Sequence, residues 1–88
     1  MTLHIIKTAK AESILQLAEL VTEDDKVLFI EDGCYLYSLT QAKLSETGVS
    51  LLALAEHMQA RGLSDKATAA GISLIDFKQW VLLTHKHP

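Results

Sequence analysis

Two patterns of apolar residues alternate along the chain and predict alternating strands and helices. Continuous or β-branched apolar runs occupy residues 3–7, 26–30, 49–55 and 71–75. Runs of this kind are typical of strands that are covered on both faces of a parallel sheet. Between the runs, apolar residues recur at helical spacing. The pattern predicts an α/β fold, a small layered domain with a mainly parallel four-stranded sheet and flanking helices.

The first and last helices have the clearest boundaries in the sequence. Thr8 is the predicted N-cap of the first helix. The predicted inner face of that helix consists of Ile14, Leu15, Leu17, Ala18 and Val21. Asp76 and Gln79 form a capping-box-like pair at the start of the last helix, which is predicted to end at Lys86. Its shared apolar face consists of Phe77, Trp80 and Val81.

The two middle helices are predicted to be shorter. One lies within residues 34–44 and begins irregularly, because Gly33 interrupts the preceding strand and Ser38 with Gln41 matches a capping box. The other spans residues 56–61 and ends at Gly62, a residue suited to the left-handed conformation after a helix.

The length, composition and net charge of the chain limit the kinds of function that it could have. Eighty-eight residues are enough for one domain, predicted to span 1–88. An apolar fraction of 49% exceeds what so small a core is expected to hide, which favours association with other subunits. The net charge is −3 and no basic patch occurs, which argues against direct nucleic-acid binding. The acidic residues 23–25 are predicted to form a solvated loop.

The chain has no apolar run near the ~20 residues of a membrane span, and no signal-like segment is recognisable at its start. Its one cysteine, Cys34, cannot form an internal disulfide. A cytoplasmic setting, without membrane attachment, is the expectation.

Cys34 is the one candidate for catalytic chemistry. It follows Glu31, Asp32 and Gly33 at the predicted carboxyl end of a central strand, which is where α/β proteins place functional sites. A helix N-terminus favours a thiolate, but two nearby carboxylates oppose it. The alternative is an inert, buried cysteine beside a turn in which Gly33 supplies a positive φ and Asp32 caps an amide.

The other polar and aromatic residues suggest no catalytic or metal site, and no cofactor is expected. His85 and His87 are the one close pair of histidines, but they lack a third ligand with zinc-like spacing. His4 is expected to be packed or hydrogen-bonded within the first strand. The larger aromatic residues, predicted to be core or interface anchors, are Tyr35, Tyr37 and Trp80.

Four segments together resemble one protein family. They are LHII near the start, VLFIEDGCY after it, LALAEHMQARGL at residues 52–63, and ISLIDFKQWVLLTHKHP at the end. Their order and spacing are similar to those of the DsrH/TusB family of small sulfur-relay proteins, and the resemblance covers nearly the whole chain.

The resemblance implies a DsrE-like fold and a place in a heterohexamer with TusC/DsrF-like and TusD/DsrE-like subunits. In the TusBCD branch, such a complex takes persulfide sulfur from a TusA-like carrier and passes it toward a TusE-like protein for 2-thiolation of the tRNA wobble uridine. In the DsrEFH branch, the related complex serves sulfur oxidation.

The resemblance assigns no sulfur-carrier role to this chain. The sulfur-oxidising members carry a cysteine in the first helix, at a position that corresponds to about Leu17. Cys34 stands where the family more often has an aliphatic residue, and the main acceptor cysteine belongs to the TusD-type subunit. The leading hypothesis is a non-catalytic subunit of a TusBCD-like complex that serves tRNA 2-thiolation. The alternatives are a DsrEFH-type sulfur-oxidation subunit, a stand-alone homo-oligomeric binding module and a sulfur carrier through Cys34.

Overall fold

The computed structural model describes residues 2–44 and 47–86. The strands are β1 (Leu3–Ile6), β2 (Lys26–Phe29), β3 (Ser50–Leu54) and β4 (Ser73–Ile75). The helices are α1 (Ala11–Leu20), a 3₁₀ helix (Glu31–Leu36), α2 (Tyr37–Leu44), α3 (Ala55–Ala60), α4 (Ser64–Ala69) and α5 (Phe77–Lys86).

The four strands form one parallel sheet in the order β1-β2-β3-β4. The predicted α/β fold with its parallel four-stranded sheet is therefore confirmed. β2 is an interior strand, and its Val27, Leu28 and Phe29 are fully buried. This explains why its sequence is continuously apolar rather than alternating.

Apolar side chains pack on both faces of the sheet in two separate clusters. On the first face, the side chains of Val27, Phe29 and Ala53 pack against α1, α2, α3 and α4. On the second face, Leu28 and Leu54 belong to a smaller cluster. Within residues 2–44 and 47–86, α5 is the one helix that packs against this cluster, through Trp80 and Leu83. The larger part of the core therefore lies on the first face.

The start of α1 differs from the prediction. Lys10, not Thr8, is the residue before the helix, and no side chain caps it. Ile14 and Leu17 are buried as predicted, but Leu15 is 52% exposed because it lies beyond the stripe that meets the sheet. The spacing of apolar residues therefore assigned Leu15 to the inner face of α1 incorrectly.

The predicted capping box at Ser38 and Gln41 is wrong, although the predicted irregular start of this helix is correct. The 3₁₀ helix leads directly into α2 at Tyr37, so Ser38 is already helical. The hydroxyl of Thr40 donates to the carbonyl of Leu36 at 2.7 Å, which ties the two helical segments together.

The end of α3 is confirmed. Gly62 has a φ of 68°, and its N–H donates to the carbonyl of Gln59 while the N–H of Leu63 donates to the carbonyl of Met58. These two bonds form a Schellman motif. The sequence analysis did not predict α4, whose sequence SDKATA has a single buried residue, Ala67, and no apolar periodicity.

The capping box of α5 is confirmed by two hydrogen bonds. The N–H of Asp76 donates to Oε1 of Gln79 at 2.9 Å, and the N–H of Gln79 donates to Oδ1 of Asp76 at 2.7 Å. Of the face predicted for this helix, Trp80 packs on the sheet. Phe77 is 47% and Val81 53% exposed, because they lie on the flank of the helix.

The predicted solvated loop at residues 23–25 is wrong for Asp25, whose side chain is buried at the amino end of β2. Its carboxylate accepts hydrogen bonds from the N–H groups of Thr2 and Thr22 and contacts Nε2 of His4 at 3.0 Å. The hydrogen bond to His4 is the main cause of a pKa lowered to about 2. Asp25 therefore anchors the start of β1.

Candidate functional site

The carboxyl ends of β2 and β3 bring together five side chains that could carry chemistry. Glu31, Asp32 and Cys34 belong to the 3₁₀ helix after β2. His57 lies on α3 after β3, and Arg61 is the residue that directly follows the end of α3. We call these five residues the carboxyl-edge cluster. Adjacent parallel strands end at the same edge of the sheet, which is why the two segments meet.

The backbone at this edge differs from the predicted turn. Glu31, rather than Gly33, has the positive φ, at 49°. Gly33 is required for another reason, because a Cβ at this position would overlap the carbonyl group of Ile6. The 3₁₀ helix therefore passes directly against the end of β1. Asp32 does not cap a backbone amide, as its carboxylate binds Arg61 instead.

Cys34 is buried within the larger core cluster and has no measurable solvent exposure. Burial raises the pKa of its thiol, because an apolar surrounding disfavours the thiolate. Burial is the largest cause, the positive charge of Arg61 lowers the pKa of the thiol, and the negative charge of Asp32 raises it further. Such burial is the environment expected of an inert cysteine, which is one of the two alternatives that the sequence leaves open.

Arg61 is held by contacts within the cluster. Its Nε and Nη2 atoms donate to one carboxylate oxygen of Asp32 at 3.3 and 3.0 Å, and Nη1 donates to the carbonyl of His57 at 3.1 Å. The guanidinium also lies 6.0 Å from the centre of the Tyr35 ring. Through these hydrogen bonds, Arg61 connects the 3₁₀ helix to α3.

His57 is oriented by the strained backbone of the neighbouring segment. Its Nδ1 atom accepts the N–H of Glu31 at 2.8 Å, so the neutral ring carries its proton on Nε2. A nitrogen that already accepts a hydrogen bond is not available to take the proton of a thiol. In the described part of the chain, Cys34 has no side-chain hydrogen-bond partner, and the cluster contains no thiol–imidazole pair.

Contacts between aromatic rings connect the carboxyl-edge cluster to α5. The ring centres of His57 and Phe77 are 5.7 Å apart in an edge-to-face arrangement, and those of Phe77 and Trp80 are 6.1 Å apart. The indole N–H of Trp80 is buried without a partner in the described structure. Tyr35 is 53% exposed. These contacts join α3 to α5 across the carboxyl edge.

The remaining histidines lie apart from this cluster. His4 is at the opposite, amino end of the sheet, where it is hydrogen-bonded to Asp25 as expected. His85 is exposed on α5, and its predicted neighbour His87 lies outside the described residues. Within residues 2–44 and 47–86, no three His, Cys, Asp or Glu side chains are arranged to hold a metal ion.

The sequence analysis assigned no role to His57 or Arg61. The signal that could have found them is their spacing of four residues directly after a predicted strand, which places both on one helix face at the edge where Glu31 and Asp32 lie.

A surface depression lies close to the end of α3 but apart from Cys34. It has a volume of about 500 Å³ and is lined by Ala55, Gln59, Gly62, Ser64, Asp65 and Leu74. It includes neither Cys34 nor a histidine. In the described ranges of the chain, none of the helices has the length and apolar character needed to cross a bilayer.

Comparison with known proteins gives two consistent matches. The family model described as DsrH like protein matches residues 8–88. Protein TusB from Photorhabdus laumondii is 35% identical, with the alignment covering 81% of this chain and 77% of that protein.

Proposed function

This chain belongs to the DsrH family, and from that membership we propose that it is a non-catalytic subunit of a sulfur-relay complex. The observation that carries the non-catalytic part of the proposal is the burial of Cys34, the one cysteine of the chain. A sulfur carrier must present its sulfur to a donor and then to an acceptor, and a core thiol with a raised pKa is poorly suited to both steps.

The role of the carboxyl-edge cluster in this proposal is structural. Arg61 and His57 join the strand ends through hydrogen bonds to Asp32 and Glu31, and the apolar side chains around them remain partly exposed. Exposed Tyr35 and Phe77 beside this hydrogen-bonded edge suit contacts with another protein.

The finer assignment is a TusBCD-like complex in the cytoplasm that supplies persulfide sulfur for 2-thiolation of the tRNA wobble uridine. Its partners are TusC-like and TusD-like subunits in a heterohexamer, with TusA-like and TusE-like proteins acting through the complex. The relative named Protein TusB supports this branch over the DsrEFH-type sulfur-oxidation branch, which is the second candidate.

Co-expression tests the subunit role. The chain is produced with TusC-like and TusD-like proteins from the same genome, and the mass of the purified assembly is measured by light scattering and native mass spectrometry. We expect all three chains in one complex. A chain that stays monomeric with both proteins present would contradict the proposal, and a homo-oligomer that ignores them would favour a stand-alone binding module.

Incubation with a persulfide donor tests the non-catalytic role separately. Mass spectrometry of the complex should find added sulfur on the TusD-like subunit and none on Cys34 of the native chain. A Cys34 persulfide formed at the rate of the TusD-like cysteine would instead make this chain a sulfur carrier.

A further inference from the structure

The order of the strands leaves one face of the sheet short of helices. In a parallel sheet ordered β1-β2-β3-β4, every crossover moves in the same direction, and right-handed crossovers then place all the connecting helices on one face. The two core clusters agree with this arrangement, since α1 to α4 pack on the first face and, among the elements that the structure describes, α5 alone packs on the second.

One helix is too narrow to cover four strands. Strands lie about 4.8 Å apart, so the sheet is roughly twice as wide as the ~10 Å diameter of a helix. On the second face, Leu28 and Leu54 are fully buried, but Ile5 of β1 is 43% exposed and Leu3 is only partly buried. An apolar strip about one helix wide is therefore open beside α5.

An open groove of about 320 Å³ lies beside α5 on the same face of the sheet. The groove is lined by Lys26, Leu52, Ile75, Gln79, Leu82 and Leu83. Leu82 is 55% exposed although it borders this apolar surface. The lining residues of the groove come from β2, β3, β4 and α5. Ile5 of β1 pairs with Leu28 of β2, so it lies on the strand next to the groove.

Lys26 is the one charged residue in the groove lining, and it forms no ion pair with the residues that the structure describes. A ligand that fills the groove would contact mostly apolar side chains, and a negative charge near Lys26 would complement its ammonium group. The width of the strip and the chemistry of its lining both match a helix with an apolar stripe and a carboxylate.

We infer that this groove, together with Leu3 and Ile5, is the docking surface for an amphipathic helix of a partner subunit, whose carboxylate meets Lys26. The inference rests on the proposed function, since it assumes a partner subunit, and it adds which surface of this chain that subunit covers. The docked helix would lie beside α5 and complete the second layer of the sheet.

A substitution at Leu82 tests the inference with little risk to folding. Leu82→Glu places a carboxylate on an exposed helix position within the same groove as Lys26, where it competes with the carboxylate of the partner. Leu20→Glu is the matched control, because Leu20 is 71% exposed on α1, across the sheet from the groove. Thermal unfolding of each isolated variant verifies that it is folded.

Each variant is co-expressed with the TusC-like and TusD-like proteins, and the partner retained per chain is measured. We expect about 10-fold or greater loss for Leu82→Glu and wild-type retention for Leu20→Glu. Wild-type retention by Leu82→Glu, or equal loss in both variants, overturns the docking surface and leaves the proposed function intact. A wild-type chain that retains no partner contradicts both.

Photo-crosslinking gives a second readout that does not depend on destabilising the complex. A benzophenone amino acid at position 82 should crosslink to a partner subunit, and the same group at position 20 should not. A crosslink from position 82 to a second copy of this chain would overturn the assignment of the groove to a partner subunit.

Discussion

At the scale of single residues, the carboxyl edge depends on the close approach of two backbones. Gly33 lies against the carbonyl of Ile6, and that carbonyl also accepts the N–H of Ile30 at 3.0 Å. The 3₁₀ helix can hold Cys34 in the core only while this approach is kept. The glycine is needed for space rather than for a positive φ.

Gly33→Ala should destabilise the fold by about 2–3 kcal/mol, because the new Cβ must displace backbone atoms rather than a flexible side chain. Urea denaturation of the variant measures the change in the free energy of unfolding. Gly62→Ala is the control, since its φ of 68° costs about 1 kcal/mol but no atoms obstruct the Cβ. A smaller loss for Gly33→Ala than for Gly62→Ala would contradict the proposed overlap.

Asp25 should make the stability of the fold sensitive to acid. Its pKa falls from 3.8 to about 2 on folding, so its ionised form stabilises the native state fully above pH 3.8. That stabilisation is lost as the pH falls through the folded pKa. Asp25→Asn should lower stability at neutral pH and reduce the further loss between pH 3.8 and about 2.

Urea midpoints measured across this pH range test the expectation, with Asp24→Asn as the control because Asp24 is exposed. An Asp25→Asn variant that keeps the full acid sensitivity of the wild type would show that other groups are responsible.

The sequence analysis located Cys34 correctly at a strand end and could not decide its environment. Burial depends on residues far away in sequence, such as Ile14 and Met58 in the same cluster. The positive φ of Glu31 could not be predicted from the sequence either. The backbone N–H of Glu31 is hydrogen-bonded to His57, which lies 26 residues further along the chain. Local patterns carry no information on such pairs.

At the scale of elements, α5 has a special position because it is the one helix in the described part of the chain that covers the second face. Its first turn is held by the reciprocal bonds of Asp76 and Gln79. Loss of these bonds would free the N-terminal amides of the helix and weaken its packing through Trp80 and Leu83.

Asp76→Ala should therefore lower the free energy of unfolding by about 1 kcal/mol. Asp65→Ala is a suitable control, because Asp65 also lies in the first turn of a helix but makes no cap bond. Its effect should be only a few tenths of a kcal/mol, from the helix dipole. Equal effects for the two variants would mean that the capping box adds nothing beyond charge.

Elements with a strong pattern were predictable, and elements without one were not. The continuous apolar runs identified all four strands, and the Asp76 and Gln79 pair identified the start of α5. α4 was missed because its six residues are mostly small or polar and are ordered by packing of Ala67 on the core. Tertiary contacts, not local propensity, decide such a segment.

At the scale of the whole molecule, strand order explains why this domain exposes apolar surface. In the described part of the chain, all the crossover helices lie on one face, so an apolar strip on the other face is exposed. The high apolar fraction predicted excess apolar surface but not its position. A buried thiol and an incompletely covered sheet are both expected of the proposed role, a non-catalytic subunit of an assembly. Its chemistry is then expected on another subunit.

The rate of sulfur transfer through the reconstituted complex tests this account most directly. It is measured from a persulfide-loaded TusA-like donor to a TusE-like acceptor, with the wild-type chain, with Cys34→Ala, and without the chain. We predict that Cys34→Ala stays within about twofold of the wild type, because the thiol is buried, while omission of the chain abolishes transfer. Transfer that is lost with Cys34→Ala in a fully assembled complex, or retained without the chain, would contradict the account.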